Sequence, residues 1–450
     1  MNLRRIYHPS AFDPSRPPDS HWRATATPLS VDLPSLEGDH SVDFAVIGGG
    51  FTGLWAAYRL AETYEAKVML LDAGEPAWGA SGRNGGFCCL GSTRLSYPQL
   101  EKRYGETEMR RFYAAQVESV ENVRGFLDSR NVQADRHSAG ELALAHKPGR
   151  MSELREEARY MTHTFGMKMQ VFSRDEMAEI GVAGPEFHGG IFIGCGFALH
   201  PLTYARALAT AALAAGAAIH QNSPVIGWSQ QASQHVLTLP KGRILAKQVI
   251  LATNGYGSEN MPSGMAGRSM PVMSNILVTR PLTPEEQKAQ GWTSDLMAYD
   301  SRRLLHYFRL LPDGRFLFGG RGGIDASPAG SKAMNRRLRR DFERMFPAWA
   351  GVPTERFWFG FVCLTYDLVP YVGAVPGLDN AWTGFGFHGN GVAMSSWTGK
   401  ALADLAAGAI TQDKLPAVVR GPLRRFPLPA LRKLYLRAAY LGYGLEDRWL

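Results

Sequence analysis

The chain has 450 residues, 45% of them hydrophobic, enough to bury a large core and to form two or three lobes. Its formal charge is +8, but residues 414–450 hold eight Lys/Arg against Glu446 and Asp447, so the body is nearly neutral and offers no basic stripe to nucleic acid. No apolar run is long enough to span a membrane, the first twenty residues lack the apolar segment of a secretory leader, and the four scattered cysteines fit neither a disulfide framework nor a zinc spacing, so a cytoplasmic location and no metal are expected.

Residues 1–40, rich in Pro, Ser and Asp, read as an extended arm or a partly disordered one. A strand–helix–strand unit runs from Asp43 to Asp72, and Ser96 to Phe172 reads as largely helical and charged. An Ala-rich helix ends at Gly216, before a strand at Ala218–His220. Hairpin strands turn at Lys241–Gly242 and lead into the apolar strand before Asn254–Gly255. Alternating strands between Pro271 and Phe361 predict an antiparallel sheet, and Val392 to Ala407 has helical spacing. The tail's Leu431, Leu434 and Ala438 mark a basic amphipathic helix, which lies on an anionic membrane or, as expected here, packs on the body.

Gly48-Gly49-Gly50-Phe51-Thr52-Gly53 satisfies G-x-G-x-x-G between the strand "FAVI" and a helix. Gly48 permits the tight turn, Gly50 lets backbone approach a pyrophosphate, and Gly53 lets the helix pack on the sheet. The helix N-terminus offers free N–H groups and partial positive charge to the phosphates. Asp72, 19 residues after Gly53, is placed to accept both ribose hydroxyls, and it disfavours a 2′-phosphate.

A second cluster, "GASGRNGG" at 79–86, follows Asp72. A simple nicotinamide site has no need of it, whereas a bulky isoalloxazine needs chain passing close by, with Arg83, Ser81 and Asn84 as donors. "VILATNGYGS" (249–258) runs into Thr253-Asn254-Gly255 at a topological switch point, and Gly384, Gly386, Gly389 and Gly391 approach another helix N-terminus. Tyr307 and Arg309 share one strand face and are expected to line a pocket together, with Arg321 nearby and His306 pointing the other way. Cys88 and Cys89 read as small buried residues.

In these motifs and their order the chain resembles the D-amino-acid-oxidase-like FAD-dependent oxidoreductases, nearest the γ-glutamylputrescine oxidase type. "DFAVIGGGFTGLWAAYRLAE", "WGASGRNGGF", "HPLTYARALATAALAAGA", "ILATNGY" and "YFRLLPDGRFLFGGR" carry the resemblance, over roughly residues 20–450. It implies an α/β fold: a three-layer, Rossmann-like FAD domain of interleaved segments, with an α+β substrate domain built on an antiparallel sheet. The expected division is arm 1–40, FAD domain 41–95, 186–262 and 362–412, substrate domain 96–185 and 263–361, and basic tail 413–450. The implied cofactor contacts are Gly48, Gly50, Phe51, Thr52, Gly53, Asp72, Ala73, Ser81, Arg83, Asn84, Gly85, Gly86, Val225, Thr253, Asn254, Gly255, Gly386, Gly389, Asn390, Gly391 and Val392. Tyr307, His388, Arg309 and Arg321 are the candidate catalytic residues.

The implied chemistry is hydride transfer from an amine-bearing carbon to flavin N5, giving an imine that water hydrolyses, with oxygen or another electron acceptor reoxidising the flavin. Two alternatives stand beside it: an amino-acid dehydrogenase feeding a quinone or carrier, and a non-catalytic flavin-binding subunit. Two departures from the branch matter. Gly386-Phe387-His388-Gly389-Asn390-Gly391 stands where the branch reads Gly-aromatic-Ser-Gly-His-Gly, and Phe361, Val362 and Cys363 stand where amino-acid oxidases often carry an arginine. The spacing of Cys363 from Thr365 and Asp367 predicts noncovalent FAD.

Overall fold

The structure is a computed structural model that describes residues 3–231 and 233–449. Its first sheet is built on apolar runs, as parallel strands covered on both faces must be. Gly38–Ile47 lies between Val68–Leu71 and Gly242–Leu251, parallel to both, with Ala218–His220 beyond the former. The outer edge of Gly242–Leu251 is divided. Its first half pairs antiparallel with Gln234–Leu239, and its second half pairs parallel with Ala381–Phe385.

Alternation sorts the side chains of this sheet. Val46, Leu70 and Ile250 face helices Phe51–Tyr64, Pro201–Ala214 and Gly391–Ala406, while Ala45, Ile47, Met69, Leu71 and Val249 face the opposite core. Each fully buried large apolar side chain contributes about 1.5–3 kcal/mol, so this two-sided core holds the sheet rigid beneath its loops.

The second sheet has eight strands in the order Thr354–Leu364, Met270–Thr279, Phe316–Arg321, His306–Leu310, Met297–Asp300, Glu141–Leu144, Gly190–Ile193 and Met169–Phe172. All neighbours are antiparallel except Met297–Asp300 with Glu141–Leu144. One face packs Phe308, Phe316 and Phe318 against Phe342, Phe346 and Trp349 of the following helical segment. His306 belongs to that side, stacked on Phe318, as its strand position predicts. The other face turns toward the first sheet.

Several expected boundaries move. The region 96–172 is less uniformly helical than its charge pattern suggests, because Glu141–Leu144 and Met169–Phe172 join the second sheet. Gly190–Ile193 joins it too, so the switch to the first sheet comes after 193 rather than at 186. Thr354–Leu364 crosses the boundary set at 361/362 as one unbroken strand. Helix Glu106–Ser129 lies against Gly391–Ala406, where Ser396 donates to the Ser119 carbonyl at 2.8 Å.

Both chain ends are docked. Tyr7 and Phe12 stack on Phe361, and Trp22 is buried beneath the site. Ala417–Arg420 buries Val418 and Val419 in the body. The tail helix Arg432–Trp449 buries Leu436 against Met270 and Val272, and Arg432 donates to Glu259 at 2.5 Å. Among the described residues no helix is long and apolar enough to cross a membrane.

Candidate active site

A single cavity of about 440 Å³ runs from the glycine turn of the first sheet to the inner face of the second. Gly48 has φ +106°, a conformation costly for any residue with a Cβ. A Cβ on Gly53 would lie 1.9 Å from the Gly48 carbonyl oxygen, so Gly53 serves close packing and is absent from the cavity wall. Gly50 has no side chain to cap helix Phe51–Tyr64. Ser81 Oγ accepts from the Phe51 N–H instead, at 2.9 Å, tying the second glycine cluster to the first.

Asp72 accepts from Gly49 N–H at 2.6 Å, and from Gly74 N–H and Trp78 Nε1–H at 2.8 Å each. Burial nevertheless pushes its carboxyl up to about 6. Three of a carboxylate's roughly four acceptor positions are thus taken. One ribose hydroxyl can be received, not the two expected from spacing alone.

The 79–86 loop is held by its own side chains. Asn84 Nδ2 donates to the carbonyls of Ala80 and Ser81, and its Oδ1 accepts from Gly86 N–H. Arg83 donates from Nε to the Trp78 carbonyl at 2.6 Å and from Nη1 to Phe359 at 3.3 Å, bracing the loop against the second sheet. Its guanidinium also lies over the Trp78 and Tyr256 rings.

Of the expected cofactor residues, Gly48, Gly50, Phe51, Thr52, Asp72, Ala73, Ser81, Arg83, Asn84, Gly85, Val225, Thr253, Asn254, Gly389, Asn390, Gly391 and Val392 line the cavity. Gly53, Gly86, Gly255 and Gly386 lie behind its wall. Leu3, Arg5 and Phe12 of the N-terminal arm, with Trp78 and Tyr256, complete it. Trp78 stands beside the glycine cluster and could have been read from it, whereas the arm has no periodicity to announce its role.

Tyr307, Arg321 and His388 meet at the inner end. Tyr307 OH is 2.9 Å from Ser274 Oγ, and burial pushes its phenol up to about 12. Arg321 donates to the His388 carbonyl at 3.2 Å and otherwise faces the cavity. His388 has φ +53° and is driven down to about 3 by burial and then by the charge of Arg94, so its ring is neutral. Thr365 Oγ1 spends its proton on the Val369 carbonyl and lies 3.4 Å from His388 Nε2. That assigns the imidazole proton to Nε2 and leaves the buried Nδ1 as an acceptor with no partner among the described residues.

Arg309 departs from expectation. It is buried outside the cavity wall, donating to the carbonyls of Gly85 (3.0 Å) and Leu199 (2.8 Å), with Nη1 3.0 Å from His137 Nε2. Strand alternation gave its face correctly. Depth in the fold decided the rest.

A family model described as FAD dependent oxidoreductase matches residues 43–405. The chain belongs to that family. It is 30% identical over 440 residues to the probable oxidoreductase OrdL of Rhizobium meliloti (strain 1021), spanning 96% of this chain and 98% of that protein. It is 28% identical over 432 residues to the γ-glutamylputrescine oxidoreductase of Escherichia coli (strain K12), spanning 95% and 98%. Glycine oxidase from Geobacillus kaustophilus shares the fold with TM-score 0.67 at 21% identity, covering 85% of this chain and 100% of that one. L-Proline dehydrogenase from P. horikoshii gives 0.68 at 20% identity, covering 85% and 96%. At these identities the structural likeness speaks for the fold.

FAD is therefore the dinucleotide that the glycine turns serve, and the residues fit it. Asp72 keeps one acceptor position, and the unpartnered buried Nδ1 of His388 and hydroxyl of Tyr256 both belong to residues of the cavity wall. Cys363 also lines the cavity, as a buried thiol raised to about 12.

Proposed function

We propose that the protein oxidises a C–N bond of a primary or secondary amine to an imine, with oxygen as the final acceptor and hydrogen peroxide as the product. The observation that carries this reading is the continuity of one cavity from the dinucleotide-type turn to the compartment formed by Tyr307, Arg321 and His388. FAD, when bound, supplies the two-electron acceptor. The protein's part is to present a neutral amine to it in a dry, oriented state.

Tyr307 and His388 suit that part because both are uncharged at neutral pH. Neither strips water from a charge when the substrate enters, and each can hold a hydrogen bond near the amine. The substrate loses the C–H hydrogen with its electron pair and an N–H proton; water then converts the imine to a carbonyl compound, releasing ammonia from a primary amine or the remaining amine from a secondary one. No strong side-chain base is required. Phe361, Val362 and Cys363 offer no bidentate partner to an α-carboxylate, which favours amines without one.

The test is peroxide release by the purified holoenzyme with a panel of amines and amino acids. Flavin reduction without peroxide would favour a dehydrogenase feeding a quinone or carrier, and failure of every substrate to bleach the flavin would favour a binding subunit. Noncovalent attachment is part of this reading. Acid precipitation should release the yellow colour into the supernatant, and colour kept in the pellet would instead indicate a covalent link.

A further inference from the structure

We propose that the far end of the cavity is a subsite for a second cationic group of the substrate, an ammonium received by Glu141 and Glu157; this rests on the amine-oxidation reading above. Across the second sheet from Tyr307, past the strand of Tyr299 to that of Glu141, the cavity is lined by Glu141, Glu157, Tyr97, Tyr299, Met161 and Met169. Glu141 begins a strand whose four residues are all buried, and it is itself 5% exposed. Among the described residues its carboxyl is hydrogen-bonded by the Cys89 thiol. Glu157, on helix Arg150–Phe165, is exposed and also lines the cavity.

No cation acts on either carboxyl among the described residues, while each is raised by burial, Glu141 to about 8 with the charge of Glu157 adding to the effect. A buried carboxyl that feels a second one, with no counter-charge among the described residues, is a cost to the folded chain unless something else satisfies it. A protonated amine would supply both the charge and the donors.

The rest of this lining suits such a guest. Methionine side chains adapt to a methylene chain, and tyrosine faces attract an ammonium. The arginines of the cavity wall have other neighbours: Arg321 is bonded to the His388 carbonyl, the charge of Arg94 is felt at His388, Arg83 is tied to the Trp78 carbonyl and Arg5 to the Tyr256 carbonyl. Glu141 acts on both Cys89 and Tyr299, and Glu157 on Tyr299, so carboxyl charge gathers at this part of the wall. This signal was faint in the sequence, as a single Glu opening the apolar run "ELALA".

The experiment is anaerobic stopped-flow reduction of the holoenzyme by α,ω-diamines of three to six carbons and by n-alkylamines of equal length. It separates the apparent Kd from the reduction rate. A diamine is expected to bind tighter than its matched monoamine by about tenfold or more, the factor for roughly one charge-assisted contact. Glu141→Gln should collapse that ratio, whereas a merely structural role would weaken both amines alike; the flavin spectrum reports folding. Equal Kd values, or a ratio preserved in both Glu141→Gln and Glu157→Gln, would overturn the subsite. If no amine reduces the flavin, the oxidation reading fails separately, and thermal shift of the holoenzyme decides the subsite. Stronger stabilisation by 1,4-diaminobutane than by butylamine supports it, and equal shifts overturn it.

Discussion

The ring of Tyr307 lies flat across Gly319 of the neighbouring strand, so closely that a Cβ there would stand 2.1 Å from the ring. The glycine gives the phenol the room to reach Ser274 across the sheet and to form the cavity wall. Gly319→Ala should therefore expel the ring, at a cost of about 1–3 kcal/mol typical of overpacking. The expected result is a fall in kcat/KM of about tenfold or more with FAD content retained, measured by peroxide release and flavin absorbance. Full activity in a folded Gly319→Ala variant would remove Tyr307 from the site.

Arg309 is expected to act as a brace. Its guanidinium holds the carbonyls of Gly85 and Leu199; burial lowers it to about 9 while the charge of Asp135 raises it, so it stays charged at neutral pH. Arg309→Met removes the donor to both carbonyls and should destabilise the protein by about 3 kcal/mol, since buried bonds to a charged group are worth roughly 1.5–3 each. It should also weaken FAD retention, because the 79–86 loop loses an anchor. Arg321→Met, altering only the cavity wall, should lower melting temperature far less. Equal thermal losses would contradict this division.

These two arginines show how much of the site could be read from the chain. The turn at Gly48–Gly53 was legible because its constraint is local: one positive φ and one helix–strand approach at fixed spacing. The face of each strand residue was legible from alternation, as His306 and Tyr307 demonstrate. What alternation cannot give is which segment arrives to meet that face. Arg309 meets the loop at 85 and the chain at 199, both remote in sequence, while Arg321 meets the His388 carbonyl and the cavity. The same limit hid the arm: Phe12 reaches the cavity through contacts with Tyr256 and Phe361, some 240 or more residues away.

A pH signature is expected from the other face of that sheet. His306 Nδ1 lies 2.8 Å from Asp300, and its Nε2 lies 3.5 Å from Asp341. Burial pulls the imidazole down, but the charges and hydrogen bonds of both carboxylates outweigh it and raise its pKa. Burial likewise raises the acids, yet His306 and the arginines Arg302 and Arg344 hold Asp300 far below the usual range and Asp341 at about 2. The raised histidine stabilises the fold below its unfolded pKa, and that stability is lost as pH rises through the folded value. The depressed acids stabilise above their unfolded values and lose that contribution as pH falls. His306→Gln should therefore cost most near pH 6, about 3 kcal/mol for a broken buried pair, and progressively less toward alkaline pH. Melting curves across pH 5–9 check this, and a pH-independent deficit would exclude a charged His306.

Removing the residues after Pro427 should harm stability before chemistry. The tail helix contributes Leu436 and the Arg432–Glu259 pair to the body, and Asp447 accepts from the N–H groups of Arg303 and Leu304. The truncated protein is expected to melt several degrees lower while still holding FAD. Unchanged melting together with lost binding to anionic vesicles would make the helix a membrane-surface element instead, using exposed Leu434, Leu441 and Leu445.

The last prediction concerns the substrate's carboxylate. The segment Phe361–Cys363 offers a stacked aromatic ring and a buried thiol, with no guanidinium. A free α-carboxylate pressed into that wall would be desolvated without a bidentate partner, at several kcal/mol. With Arg309 committed to backbone carbonyls, Arg321 is the guanidinium placed beside Tyr307 and His388 to meet a carboxylate, and it gives one bond to the His388 carbonyl. The preferred substrate is therefore an amine with no carboxylate, or with one several bonds from the oxidised carbon. The measurement compares kcat/KM for simple amines, γ-glutamylated amines, sarcosine and D- and L-amino acids, in the native protein and in Arg321→Met. The variant should lose more with carboxylate-bearing amines than with carboxylate-free ones, by about tenfold for one charge-assisted contact. If α-amino acids are instead preferred by about tenfold, roughly 1.4 kcal/mol of transition-state binding, and Arg321→Met abolishes that preference, then Arg321 is itself the α-carboxylate clamp, moved two strands across the sheet.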